Sequence, residues 1–525
     1  MRRGCWRPVC PIRDVTSTII RRGLASSHAG LAQQKRVRVA DLLDLKNSTA
    51  TAETTEVHVA GWVRSLRKQK RIAFATLSDG SSHTTLQAVL TPSLAAELTP
   101  GTAVKLHGTW QASAGREQSH ELSVSSVEVL GANDAERNPV QPKYQTPEFL
   151  RTIPHLRVRT SANVLLLRLR SQVIASLTRF FDEEGFVQTH TPVITSSDCE
   201  GAGEVFTVSS GAVQESPLGV TPGQEVHAEH FFRTPKYLTV SAQLHLEALA
   251  MAVDKVWTLS PTFRAERSDT ARHLSEFYML EAEMCFVDSV SDVMDLIENM
   301  LRTTVSTLRE STLGSDILSA RTAAIASVPR DAKDEHDIPT ADALAMRWAG
   351  MAATHWPRIT YADAIMLLQR AVTEGTANFS FEATYENGLQ AEHERYIAST
   401  VGEGKPVFVT HYPFAQKAFY MPRTGSTGSV TGPDTADCFD LLVPSLCELA
   451  GGSMRAHNLT ELEANMKVKG VSEEGLEWYK DLRRHGSVPH GGFGLGFDRL
   501  LCYLSGTGNV RDVVAFPRWV GRCAC

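Results

Sequence analysis

"FRAERSDTARHLSEFYMLEAE", residues 263–283, is the stretch from which the rest of the chain is read. It sets Arg264, Arg267, Arg272 and His273 among five carboxylates and the rings of Phe277 and Tyr278, directly behind the apolar run VWTLSP. A solvated helix face can carry many charges, but it has no need of this order of arginines, phenylalanine and glutamates. Taken alone, the segment also fits a β-hairpin laced by cross-strand ion pairs.

Outward from this stretch, 525 residues suffice for two or three domains with substantial cores. Apolar and charged contents of 42% and 21% are those of a globular chain, and no apolar run is long enough to span a membrane. The net charge of −6 is uneven. Residues 1–30 hold Arg2, Arg3, Arg7, Arg13, Arg21 and Arg22 against a lone Asp14, which leaves the remainder at about −11. An Arg-rich, Ser/Thr-containing, acid-poor start predicts a transit peptide and a mitochondrial matrix location; a basic tail that touches RNA is the alternative. The nine cysteines form no C-x-x-C pair, which predicts reduced thiols and no structural metal.

Residues 31–132 read as a small barrel. Five short alternating stretches, from EVHVAGWVRS to ELSVSSVEVL, are punctuated by glycine and Asp-Gly. The basic run RSLRKQKR (64–71) lies beside Trp62 and Phe74. It fits a solvated hairpin, or a surface where bases stack on rings while cations follow phosphates. Residues 133–160, rich in proline and charge, read as a linker. From 161 to 525 the chain reads as one further domain. It opens with a helix that stops at Gly185, followed by strand-like VQTHTPVIT, and carries a helical insertion around 290–355. GGFGLG (491–496) lacks dinucleotide-site spacing and by itself reads as a turn before a helix.

In order, helix–G-F–T-P (to 192), F-R-A-E…R-H-x-x-E-F (263–277) and G-x-G-x-D-R (494–499) resemble the three signature motifs of class II aminoacyl-tRNA synthetases. The likeness runs over about residues 56–518. It implies an α+β fold, with an N-terminal OB-fold barrel and an antiparallel catalytic sheet flanked by helices. ATP and Mg²⁺ are the implied cofactors, and the helix of the first motif would build a homodimer. In such an enzyme a carboxylate attacks the α-phosphate of ATP. Little proton transfer is needed, so positioning and charge neutralisation dominate. Arginine suits that task because it stays charged and grips oxygens with a two-pronged fork. By the resemblance, Arg264 would hold the α-phosphate and the amino-acid carboxylate, and Arg272 and Arg499 the β/γ tail. Phe277 and Arg499 would sandwich adenine, with Glu266, His273 and Gly496 around it. Glu448 would carry Mg²⁺, with Asp440 second. Glu283, Arg267 and Glu276 are left as bracing residues.

A barrel joined to these motifs resembles the Asp/Asn/Lys subgroup, in which Phe74 would stack on an anticodon base and Gln87 would hydrogen-bond one. SDCEGAGEVF (197–206), LTVSAQLHLE (238–247) and KAFYMP (417–422) resemble asparaginyl members. Aspartyl members carry a lysine where this chain has Leu246. Without it a buried substrate carboxylate would lack its counter-charge, a penalty on the order of several kcal/mol that a carboxamide avoids. The implied ligands of L-asparagine are Glu200, Gln243, Glu281, Arg455 and His490, and the implied RNA partner is tRNA(Asn). An aspartyl enzyme, with or without the capacity to charge tRNA(Asn) as well, and a catalytically silent RNA-binding relative stay open as alternatives.

Overall fold

In residues 73–77 and 86–90, buried and half-buried side chains alternate, as a strand with one face on a core requires. The computed structural model describes residues 36–44, 55–115, 118–141, 143–196, 205–209, 231–327, 339–424, 434–473 and 475–525. Both the expected transit peptide and Glu200 lie outside them.

After a short helix α1 (Val39–Asp44) come β1 (Thr55–Lys68), β2 (Ala73–Ser78), β3 (Leu86–Leu90), β4 (Ala103–Ala112) and β5 (His120–Gly131). They close in the order β1-β2-β3-β5-β4. Val59, Leu77, Leu86, Ala88 and Leu106 fill the barrel, and α1 adds Val39 and Leu42 to the same core. Closure leaves no free sheet edge.

The expected linker is built rather than loose. Its helices α2 (Pro147–Arg151) and α3 (Pro154–Arg157) each begin with proline, whose fixed φ and missing N–H suit a first turn. Arg151 grips both oxygens of Asp512 (2.8 and 2.6 Å), and the buried Arg157 donates to the Arg511 carbonyl at 2.7 Å. The segment is thus clamped to the end of the catalytic domain.

That domain starts with α4 (Ser161–Glu183), capped by Thr160. Its buried stripe of Leu165, Leu169, Val173, Leu177 and Phe181 repeats every four residues. The strand-like VQTHTPVIT yields only β6 (Val187–Gln188) and β7 (Ile194–Thr195), the latter paired with β8 (Tyr237–Leu238). Next come α5 (Gln243–Val253), β9 (Lys255–Phe263) and β10 (Glu276–Cys285). The helical region comprises α6 (Val290–Glu310), α7 (Thr312–Ser327) and α8 (Ala341–Ala352). It is part of the domain's main core, to which α6 gives Val293, Ile297 and Leu301 and α8 gives Trp348.

The remainder is β11 (Arg358–Thr360), α9 (Tyr361–Thr373), α10 (Ala391–Thr400), β12 (Val407–Thr410), β13 (Cys438–Val443), β14 (Cys447–Met454), α11 (Leu459–Lys469), α12 (Glu477–Arg484), β15 (His490–Gly496), α13 (Phe497–Ser505) and α14 (Val510–Val513). Eight strands form one sheet in the order β11-β12-β13-β14-β15-β10-β9-β6. It is antiparallel except at its edges, where β11–β12 and β6–β9 run parallel. GGFGLG is a central strand and not a bend. A Cβ on Gly492 would lie 2.1 Å from the Glu283 carboxylate and 2.2 Å from the Ala282 carbonyl, so only glycine lets β15 pass β10 there.

Candidate active site

The opening stretch is a β-hairpin. Phe263 pairs with Glu276, and the Arg264 N–H donates to the Ser275 carbonyl at 3.0 Å, so residues 264–275 form a loop at one end of the sheet. Beneath that loop lies a cleft of about 730 Å³. Eight residues singled out from the sequence line it together: Arg264, Glu266, Arg272, His273 and Phe277 from the hairpin, and Glu448, Gly496 and Arg499 from β14, β15 and α13. The charges here are loosely paired. Arg264 lies 4.0 Å from Glu266, His273 3.4 Å from Glu266, and Arg499 3.7 Å from the Glu448 carboxylate. The Arg264 guanidinium sits 5.6 Å from the Phe277 ring centroid, and Arg499 also donates to the Glu448 carbonyl. Asp498 fastens the scaffold by accepting from Arg170 of α4 (2.6 Å) and from the Tyr278 N–H (2.9 Å), tying together the elements that carry all three motifs.

A second cavity of about 670 Å³ adjoins the first, sharing Arg264, Met279, Glu448 and Gly494 with it. Gln243, Glu281, Arg455 and Asp440 all line it, as does Leu246. Among the described residues its cations are Arg264 and Arg455, against four carboxylates, Glu281, Glu283, Asp440 and Glu448. Glu281, on β10, accepts from the Ser241 hydroxyl and from the Ala242 N–H at 3.0 Å. Those bonds fix the N-terminus of α5, from which Gln243 projects.

Arg455 is buried and held in place. Its Nε and Nη2 donate to the two oxygens of Glu283 (3.1 and 2.9 Å), and its Nη1 to Ser453 Oγ (2.6 Å). Each Nη carries a second N–H. Glu283 therefore does not brace the hairpin; it anchors Arg455. Burial first, and then nearby Glu247, raise the Glu283 carboxyl above its ordinary value although Arg455 draws it down. Since both its oxygens accept from one guanidinium, the pair is an ionised one.

His490 is near this wall but not in it. It is buried behind Arg455, with Nε2 3.1 Å from Glu247 and Nδ1 2.7 Å from the Val488 carbonyl. The sequence reading missed Glu247. Fully buried on α5, it accepts from Gln243 (3.1 Å), the Tyr479 hydroxyl (2.8 Å), Arg483 (2.6 Å) and His490. Burial pushes its carboxyl up, but Arg483, His490 and Arg455 outweigh that and hold it well below the usual range. The i, i+4 spacing of Gln243 and Glu247 was the only signal for it in the sequence. Glu247, Glu283 and His490 come within 4.8 Å of one another, but the two arginines already hold those carboxylates, so the cluster is an ion network and not a metal cage.

Two further charges were also missed. Lys417, within KAFYMP, donates to both oxygens of Asp440 (3.0 and 2.8 Å). Glu394 on α10 is partly buried near Glu448 and Asp440. Burial and these two carboxylates push its carboxyl up to about 7.

On the barrel, Phe74 and Gln87 share the outer face of β2 and β3 with Thr76, which pairs with Gln87 in register. Arg67 lies opposite Phe74, and the Gln87 amide reaches Glu121 at 3.4 Å.

Residues 146–520 match the family described as tRNA synthetases class II (D, K and N), and residues 57–130 match the OB-fold nucleic acid binding domain. The chain is 41% identical to the asparagine–tRNA ligase of Nostoc sp. over 88% of its own length and 94% of that protein. It is 40% identical to the mitochondrial asparagine–tRNA ligase of Saccharomyces cerevisiae over 88% and 92%. Its fold superposes with a TM-score of 0.75 on asparaginyl-tRNA synthetase from Pyrococcus horikoshii, solved with asparaginyl-adenylate, at 26% identity over 93% of this chain and 99% of that one.

Proposed function

The chain belongs to the asparagine–tRNA ligases of class II, and from that premise we propose that it joins L-asparagine to ATP as asparaginyl-adenylate and transfers asparagine to the 3′ end of tRNA(Asn). The observation that carries this reading is the meeting of two cavities at Arg264. One is rimmed by arginines and an aromatic ring, as a nucleotide requires; the other is closed by Arg455 and Leu246, as a small neutral side chain requires.

In the first step an asparagine carboxylate oxygen bonds to the α-phosphorus as the bridging oxygen leaves with pyrophosphate. Arg264, at the junction, neutralises both anions and brings them within reach. Arg272 and Arg499 draw the leaving phosphates away, and Phe277 offers its face to adenine. Gln243 holds the α-amino group, and Arg455 donates to the side-chain carbonyl. In the second step the 3′-hydroxyl of the terminal adenosine attacks the mixed anhydride and AMP departs. Glu448 fits a divalent cation. Its side chain is 47% exposed, and its only ion partner among the described residues is the distant Arg499. Asp440 fits less directly because Lys417 engages both its oxygens. Mg²⁺ there would neutralise phosphate charge.

The basic leader and the similarity to a mitochondrial enzyme support work in the mitochondrial matrix. Phe74, Gln87 and Arg67 form a surface suited to anticodon bases and their phosphates. Exposed Leu167 on α4, Val187 and Phe286 support a homodimer across that side of the catalytic domain.

The test is pyrophosphate–ATP exchange by the purified protein, run separately with asparagine, aspartate and lysine. Exchange should depend on asparagine. Exchange with aspartate alone would overturn the reading.

A further inference from the structure

Behind the amino-acid pocket, four charged side chains form one buried network. Two are carboxylates, Glu283 and Glu247. The guanidinium groups of Arg455 and Arg483 lie against them. His490 joins it through Nε2, 3.1 Å from the Glu247 carboxylate. Two negative charges therefore meet two positive ones, all of them buried. A neutral carboxamide entering beside Arg455 preserves this balance. A carboxylate adds a third anion with no cation of the network to match it, in surroundings where unpaired charge is costly.

We propose that Glu247 is a specificity-determining residue, the anion that completes this balance and so keeps aspartate out although Arg455 faces the pocket. The inference rests on the asparagine reading above. Glu247 acts at a distance: it reaches the ligand only through Gln243, which donates to it, and through Arg455, whose Nε lies 3.9 Å away. Its role is to position these groups and to set the local charge. Leu246, its neighbour on α5, lines the pocket without adding charge.

The test compares the ratio of kcat/KM for aspartate to that for asparagine in pyrophosphate exchange. E247Q leaves the network one positive charge in excess, and the ratio should rise by at least about tenfold. E247Q/R483M removes a cation as well, and the ratio should return to within about threefold of the parent's. If the double variant is as relaxed as the single one, loosened packing and not charge is responsible, and the proposal falls. It falls equally if folded E247Q discriminates as the parent does. Should E247Q not fold, L246K and L246K/R483M repeat the comparison from the pocket side. The first should admit aspartate and the second reject it, and any other pattern overturns the proposal. A parent protein that shows no exchange with asparagine would instead sink the asparagine reading itself.

Discussion

The nucleotide cleft and the amino-acid pocket share Arg264, yet they hold their charges in opposite ways. In the cleft, ion pairs are partly exposed and span 3.4–4.0 Å. In the wall of the pocket they are buried and as short as 2.6 Å. The ligands account for the difference. ATP brings several negative charges of its own, so cations that await it are best left loosely engaged. A carboxamide brings none, so the cation that recognises it must already be neutralised or it could not stay buried.

The comparison is tested most severely at the shared residue. Arg264→Ala should lower the rate of pyrophosphate exchange by about 10²–10³-fold, the usual cost of removing one preorganised charge from a transition state. Its thermal midpoint should hardly move, because the side chain is about one-third exposed, where an ion pair adds little to stability. A large loss of stability would show that the cleft is as tightly built as the pocket.

Glu283→Ala should do the reverse. It strands Arg455 without its carboxylate and should cost about 3–5 kcal/mol in urea unfolding. The KM for asparagine should rise with it, while the KM for ATP stays close to the parent's. An unfolding free energy within 1 kcal/mol of the parent's, roughly the worth of a surface pair, would abolish the contrast between the two regions.

The two regions were also unequally legible in the sequence. Every cleft residue named from the sequence lines the cleft, because these residues fall in short ordered motifs whose resemblance to the class II synthetases could be read locally. The barrel was readable for a similar reason, its alternation being local. The pocket wall was not. Glu247 meets Arg483 from 236 residues away in the chain, and Glu283 meets Arg455 from 172. Nothing local marks such partners, so Glu283 looked like a brace and His490 like a ligand. The docking of residues 147–157 on Asp512 was hidden in the same way. GGFGLG misled for another reason: its glycines serve the close passage of two strands, while glycine in sequence more often marks a turn.

Glu394 cuts across the comparison. It lies on the cleft side, near Glu448 and Asp440, but it is partly buried. Its carboxyl is raised from an ordinary 4.5 to about 7, by burial first and the two carboxylates next. Between those values the folded chain keeps a proton that the unfolded chain has released. The stability this group contributes is therefore complete below about pH 4.5 and is lost as pH rises through about 7. Glu394→Gln cannot ionise, yet its amide oxygen can still accept the Glu448 N–H. Without Mg²⁺, the variant's unfolding free energy should exceed the parent's by up to about 3 kcal/mol at pH 8 and match it near pH 4.5. If the two curves stay parallel from pH 4.5 to 8, Glu394 ionises freely, and the cleft side holds its carboxylates as loosely as it holds its arginines.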